Sequence, residues 1–107
     1  MIYYVSHSFC GDNANIERAR KITHDLQIRH LENSYICPLL AFSHINYGEV
    51  DSKDLQELYG DLLMICDGVI IASKISQQMK ADIELAKRLG MEVFALGKDG
   101  EICSFKE

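Results

Sequence analysis

Residues 68 to 72 read GVIIA, apolar at every step. A strand with one wet face alternates apolar and polar side chains, so an unbroken run of this kind is a strand covered on both sides. That demands a layer above it and a layer below it, and the chain supplies helices for both. Ile16, Ala19, Ile22 and Leu26 recur at helical spacing through to about His30, with Asp12 or Asn13 able to cap the stretch. Leu55, Leu58, Leu62 and Ile65 share one face of a second helix, opened by Asp51 or Ser52. Ser76 caps a third helix, which runs to a Gly90 C-cap.

Short β-branched or aromatic runs alternate with these helices. Ile2 to Ser6 and Glu92 to Gly97 read as strands, and Ser34 to Cys37 as a weaker one ended by Pro38. Residues 38 to 50 have no clean period and form a long loop or contain a short turn of helix. After a Lys98-Asp99-Gly100 turn, Ile102 to Phe105 can add an edge strand. The order predicts an α/β fold: a three-layer, flavodoxin- or Rossmann-like parallel sheet of four to five strands with helices on both faces. The 107 residues make one domain, 1–107, and 48% hydrophobic content gives it a core. In such a sheet the ligand sits beyond the carboxyl ends of the strands, at the topological switch point. Residues 6 to 12, 38 to 50 and 72 to 79 and the end of the last strand line that place.

Several function classes drop out. Eleven Lys and Arg against sixteen Asp and Glu give a net charge of −5, which argues against nucleic acid as the main partner. No apolar run reaches the roughly 18 residues of a membrane span, and MIYYVSHSF has no basic leader, so a cytoplasmic protein is expected. Cys10, Cys37, Cys66 and Cys103 form no CxxC pair and read as reduced thiols. There is no GxGxxG, GxxxxGK with Ser or Thr, GxSxG or HExxH. His7-x-x-Cys10 offers two ligands without a second pair, so neither metal nor cofactor is expected.

The third helix is the most informative element. At about 100° per residue, Met79, Ala81, Ile83, Leu85, Ala86 and Leu89 cover one broad arc, and Lys80, Glu84, Lys87 and Arg88 the opposite one. Glu84, between Lys80 and Arg88 at four residues either way, reads as a solvated ion-pair residue. Asp82 falls inside the apolar arc, near the first turns, facing the sheet. A carboxylate there is either bonded by helix amides and pocket groups or costly. It serves as a local cap or as a ligand-facing acid, and the second role is the sharper reading.

Three segments resemble the nucleoside 2-deoxyribosyltransferase-like proteins, especially their short bacterial and phage members. Tyr4-Val5-Ser6-His7-Ser8-Phe9-Cys10-Gly11 is similar to that family's first-strand signature. Leu63-Met64-Ile65-Cys66-Asp67-Gly68-Val69-Ile70 resembles the approach to its central strand. Ser76-Gln77-Gln78-Met79-Lys80-Ala81-Asp82-Ile83-Glu84-Leu85-Ala86 resembles the helix that carries its nucleophile. The likeness covers about residues 2 to 97. It implies cleavage or transfer at the bond between a base and deoxyribose, through a glycosyl-enzyme intermediate on a carboxylate. By register that carboxylate is Asp82. The resemblance further implies an acid near base or sugar at Asp67 and a phosphate side at Ser76, Ser8 and Gly11. Tyr4 is a pocket tyrosine by the same likeness, or a packed strand aromatic.

Departures from the family pattern are informative. Asp82 is one methylene shorter than the family's glutamate, and His7 and Gln78 stand where the family keeps glycine. About 1 Å of misplacement can lower a rate about a hundredfold. The expected ligand-binding set is Tyr4, Ser6, His7, Ser8, Gly11, His44, Ser76, Gln78 and Met79, with Asp82 and Asp67 as the catalytic acids. His44 and Tyr47 sit on the loop expected to arch over the pocket. Two functions fit: a nucleotide-pocket enzyme acting at the N-glycosidic bond, or a non-catalytic protein of phage type that sequesters a cyclic or ADP-ribose-like nucleotide signal in a bacterial cytosol. The resemblance also implies a homo-oligomer. Leu55, Leu58, Tyr59, Leu62 and Leu63 offer apolar surface for one, or pack a central helix on two sides.

Overall fold

A computed structural model describes residues 1–45 and 48–106. The elements in chain order are β1 (Ile2–Ser6), α1 (Asn13–Arg29), β2 (Ser34–Ile36), α2 (Pro38–Ala41), α3 (Ser52–Met64), β3 (Gly68–Ile71), α4 (Gln77–Arg88), β4 (Glu92–Leu96) and β5 (Ile102–Ser104). The five strands form one sheet in the order β2-β1-β3-β4-β5. The first four are parallel, and β5 returns antiparallel to β4. This is the Rossmann-like α/β architecture expected.

Alternation along the strands sorts the side chains into two cores. Tyr4, Val69 and Ile71 pack with Leu63 of α3 and Met79, Ile83 and Ala86 of α4. Val5 and Ile70 point the other way, onto Ala19 and Leu26 of α1, with Tyr35, Cys37 and Leu39. β3 is buried along its whole length, which explains its unbroken apolar run. Each fully buried Leu or Ile side chain stabilises the fold by about 1.5–3 kcal/mol relative to leaving it in water.

Local chemistry sets the helix ends. Asp12 caps α1, its Oδ1 accepting from Ala14 N at 2.9 Å. Within the aperiodic stretch after β2, Pro38 starts the four-residue α2, where a missing N–H costs nothing. Ile65 departs from the expected inner face: α3 ends at Met64, and Ile65 is 58% exposed because the chain leaves helical register there. Tyr59 and Leu63 are buried within the chain. All four cysteines are unpaired. Among the described residues no helix is long and apolar enough to cross a membrane.

The strand order fixes where a ligand could bind. From β1 the chain goes to β2 on one side, and β3 lies on the other, so the switch point is between β1 and β3. At the carboxyl edge of that pair Ser6 stands beside Ile71.

Candidate functional site at the carboxyl edge of β1 and β3

Helix α4 places its acid by simple periodicity. Met79, Asp82, Ile83 and Ala86 are its buried residues, spaced as one helical stripe. Asp82 is the charged member of that stripe and is 5% exposed. It meets the face of β1 that carries Tyr4 and Ser6. Ser6 Oγ donates to Asp82 Oδ2 at 3.4 Å, and Gln78 Nε2, one turn back on α4, donates to Oδ1 at 3.4 Å. Both bonds are long, so neither oxygen is saturated. The fully buried Tyr4 hydroxyl lies close enough to Asp82 to feel its charge, yet it has no hydrogen-bond partner of good geometry. A buried donor left in that state carries a desolvation penalty of about 1–3 kcal/mol.

The electrostatics follow from burial. Loss of water pushes the Asp82 carboxyl up to about 6, against the smaller downward pull of Tyr4, Gln78 and Ser6. Burial, reinforced by the Asp82 charge, raises the Tyr4 phenol far above its ordinary value. Tyr59 of α3 is raised too, by burial and then by Cys37 and Asp82. Burial also raises the Cys37 thiol. At neutral pH Asp82 is therefore an anion near its titration range, among neutral phenols and a neutral thiol.

Next to this cluster the first loop is tied to the loop after β3. Ser73 Oγ accepts from Ser8 N at 2.9 Å and donates to Lys74 O at 3.0 Å. Cys10 and Gly11 follow in left-handed conformations, at φ 52° and 72°, and turn the chain into α1. At the start of α4, Ser76 Oγ accepts from Met79 N at 3.3 Å. In return Met79 Sδ accepts from Ser76 N at 3.4 Å, a thioether in the place where a capping box usually has Glu or Gln.

Of the residues expected in the site, Tyr4, Ser6, Gln78 and Asp82 come together, with Ser8 close by through Ser73. Several others do not join them. Asp67 requires correction as a second acid: it precedes β3 at the opposite, amino-terminal edge of the sheet, where its Oδ2 accepts from Ile2 N at 2.7 Å. Met79 is 1% exposed and packs in the same core as Tyr4. Ser76 uses its oxygen as a helix cap. His7 is buried with Nδ1 2.8 Å from Ser8 O; because a carbonyl only accepts, Nδ1 carries the proton. Gly11 is exposed in its turn, and His44 is exposed with its ring 6.4 Å from Phe42. Tyr47 lies outside the described residues.

Two residues enter that sequence reasoning did not single out as site residues. Ser73 is the second residue after β3, a position that the switch-point rule marks as pocket edge. Tyr59 falls in the inner stripe of α3 and stacks on Phe42 at 5.7 Å and 17°, linking the loop after α2 to the Asp82 cluster. Two hollows, of about 90 and 320 Å³, lie elsewhere: one between α1 and the turn at Gly100, the other along Lys80, Ile83, Glu84 and Lys87 of α4. Neither is lined by Asp82. Among the described residues no three His, Cys, Asp or Glu side chains gather as a metal site. No protein-family model matches this chain, and no curated protein matches it.

Proposed function

We propose that this chain binds a nucleoside or nucleotide at the carboxyl edge between β1 and β3, with Asp82 as the acid that receives the sugar hydroxyls. The observation that carries the reading is the Asp82 carboxylate itself. It is buried at the switch point, accepts from Ser6 and Gln78 at 3.4 Å, and lies beside a tyrosine hydroxyl that makes no hydrogen bond of good geometry. Buried, under-bonded polar groups with a raised pKa are the expense a fold carries where a ligand supplies the missing bonds. A sugar hydroxyl both donates and accepts, so one such group would satisfy Asp82 and Tyr4 together. The half-buried Gln78 side chain holds the carboxylate by one long hydrogen bond, which a ligand hydroxyl can replace. The ligand class follows the likeness of the Tyr4–Gly11 and Ser76–Ala86 segments to nucleoside 2-deoxyribosyltransferase-like proteins. The reading favours holding over turnover, because Asp67 stands at the other edge and leaves Asp82 without the second carboxyl that glycosidic chemistry ordinarily uses.

A second reading is cleavage or transfer at the N-glycosidic bond, with Asp82 as nucleophile. Its specific support is the placement of Asp82, a carboxylate buried at the switch point that stays mostly ionised at neutral pH although burial raises it to about 6. One experiment separates the two. The chain is incubated with deoxynucleosides, their 5′-monophosphates, and cyclic and ADP-ribose-like nucleotides; free base is followed by chromatography, and ligand binding by thermal shift. Binding without base release is expected, with stabilisation of about 2.7 kcal/mol at a hundred times the dissociation constant. Base release that vanishes in Asp82→Asn establishes the second reading. Absence of any shift or release across the panel overturns both.

A further inference from the structure

The larger of the two hollows lies away from the Asp82 cluster and has a chemistry of its own. It holds about 320 Å³ and is lined by Ile75, Lys80, Ile83, Glu84, Lys87 and Phe105. That volume falls within the roughly 300–1,000 Å³ of small-molecule sites. Helical spacing builds one side of it: Lys80, Glu84 and Lys87 stand at i, i+4 and i+7 on α4, and all three are exposed. Ile83, 7% exposed and part of the core, forms the floor.

The two ends come from other parts of the chain. Ile75, 40% exposed, precedes α4 on the carboxyl-edge side of the sheet. Phe105 follows β5 and donates its N–H to Val93 O at 3.3 Å, near the start of β4, so it lies on the amino-edge side. The hollow therefore runs along α4, and Lys80 to Lys87 spans about 10 Å at the helical rise of about 1.5 Å per residue.

Charge decides what fits there. The lining carries one net positive charge in a chain of net charge −5. Lys74 and Lys106 are the exposed chain neighbours of Ile75 and Phe105, so four of the seven lysines line or adjoin this one hollow. Elsewhere cations meet acids: Arg20 pairs with Glu17, Lys21 with Asp25 and Arg29 with Glu101. Among the described residues Lys74, Lys80 and Lys106 pair with no acid, whereas Lys87 is engaged within the chain. An anionic head therefore fits at the Lys80 end, beside Ile75, with an apolar body lying over Ile83 toward Phe105. We propose that this groove binds a small amphipathic anion, of the class of alkyl or aryl carboxylates, with the carboxylate on Lys80 and the apolar body on Ile83 and Phe105. The carboxylate gains a charge-assisted hydrogen bond, and the body covers apolar surface that is otherwise wet. A lipid bilayer fits less well, because membrane anchoring uses apolar side chains that protrude, and this apolar floor is recessed. The site stands apart from nucleotide binding and does not depend on it.

Isothermal titration calorimetry of the full chain with octanoate, and with its neutral counterpart octanamide, tests the proposal. Octanoate should bind at one saturable site, about fivefold or more tighter than octanamide. Lys80→Glu should weaken octanoate about tenfold or more and leave octanamide unchanged, whereas Ile75→Asp should weaken both. Lys53→Glu, at an exposed lysine of α3, should change neither. All three positions are exposed or nearly so, and circular dichroism melting shows that each variant keeps the fold. In a nitrogen-15 NMR titration octanoate should move the amide signals of Ile75, Lys80, Ile83 and Phe105. No saturable binding, equal affinity for the neutral amide, or indifference to both Lys80→Glu and Ile75→Asp overturns the proposal. So does co-sedimentation with phosphatidylglycerol vesicles that is lost in Lys80→Glu, which would assign these lysines to a membrane.

Discussion

Replacing Asp82 by Asn should make the chain more stable at neutral pH, and the gain should disappear in acid. In the native state burial holds the Asp82 carboxyl at about 6, whereas its ordinary value is 3.8. The native form therefore binds a proton between those values that the unfolded chain has already released. By linkage, the contribution of this group to stability is fully present below about pH 4 and is lost as pH rises through about 6. At 1.36 kcal/mol per pH unit, the gap between about 6 and 3.8 amounts to about 3 kcal/mol at pH 7.5. Asn keeps the shape and has no charge to desolvate; its one oxygen can accept from Gln78, and its NH2, where Oδ2 stood, can donate to the Ser6 hydroxyl once that hydroxyl turns. Urea unfolding of both proteins, followed by circular dichroism at pH 4.5, 5.5, 6.5 and 7.5, isolates the effect as a difference, since all other titrating groups are shared. The Asn variant should gain most at pH 7.5, by an amount between about 1 and 3 kcal/mol, and nothing at the acid end. A difference that is flat with pH, or that favours the wild type as pH rises, would refute the claim that Asp82 is desolvated and under-bonded.

Tyr4→Phe removes a buried hydroxyl that makes no hydrogen bond of good geometry; stability in urea should stay within about 0.5 kcal/mol of wild type or rise, while nucleotide-induced thermal shift should fall. A loss of more than about 2 kcal/mol would mean that the hydroxyl already has a full partner in the free protein. Asp67→Asn, at the opposite sheet edge, should leave that thermal shift unchanged, and a lost shift would return Asp67 to the site.

Local pattern was enough to order the strands and helices. Periodicity is a property of neighbouring residues, so the doubly covered β3, the three long helices and the inward position of Asp82 on α4 were all legible before any packing was known. The same rule misplaced Ile65, because a stripe extrapolates past the residue at which the helix stops.

Meetings across elements were decided by the tertiary structure. Asp67 is one residue before β3, and a parallel sheet puts that position a full strand length from the carboxyl edge, whatever its chemistry suggests. Tyr59 reaches the Asp82 cluster because α3 packs beside α4, and Ser73 reaches Ser8 because β1 and β3 are neighbours. Such contacts depend on strand order and register, which form only when distant segments pair. A single chain of letters carries the periodicity that buries a carboxylate, whereas the identity of the groups that surround it is set by the fold.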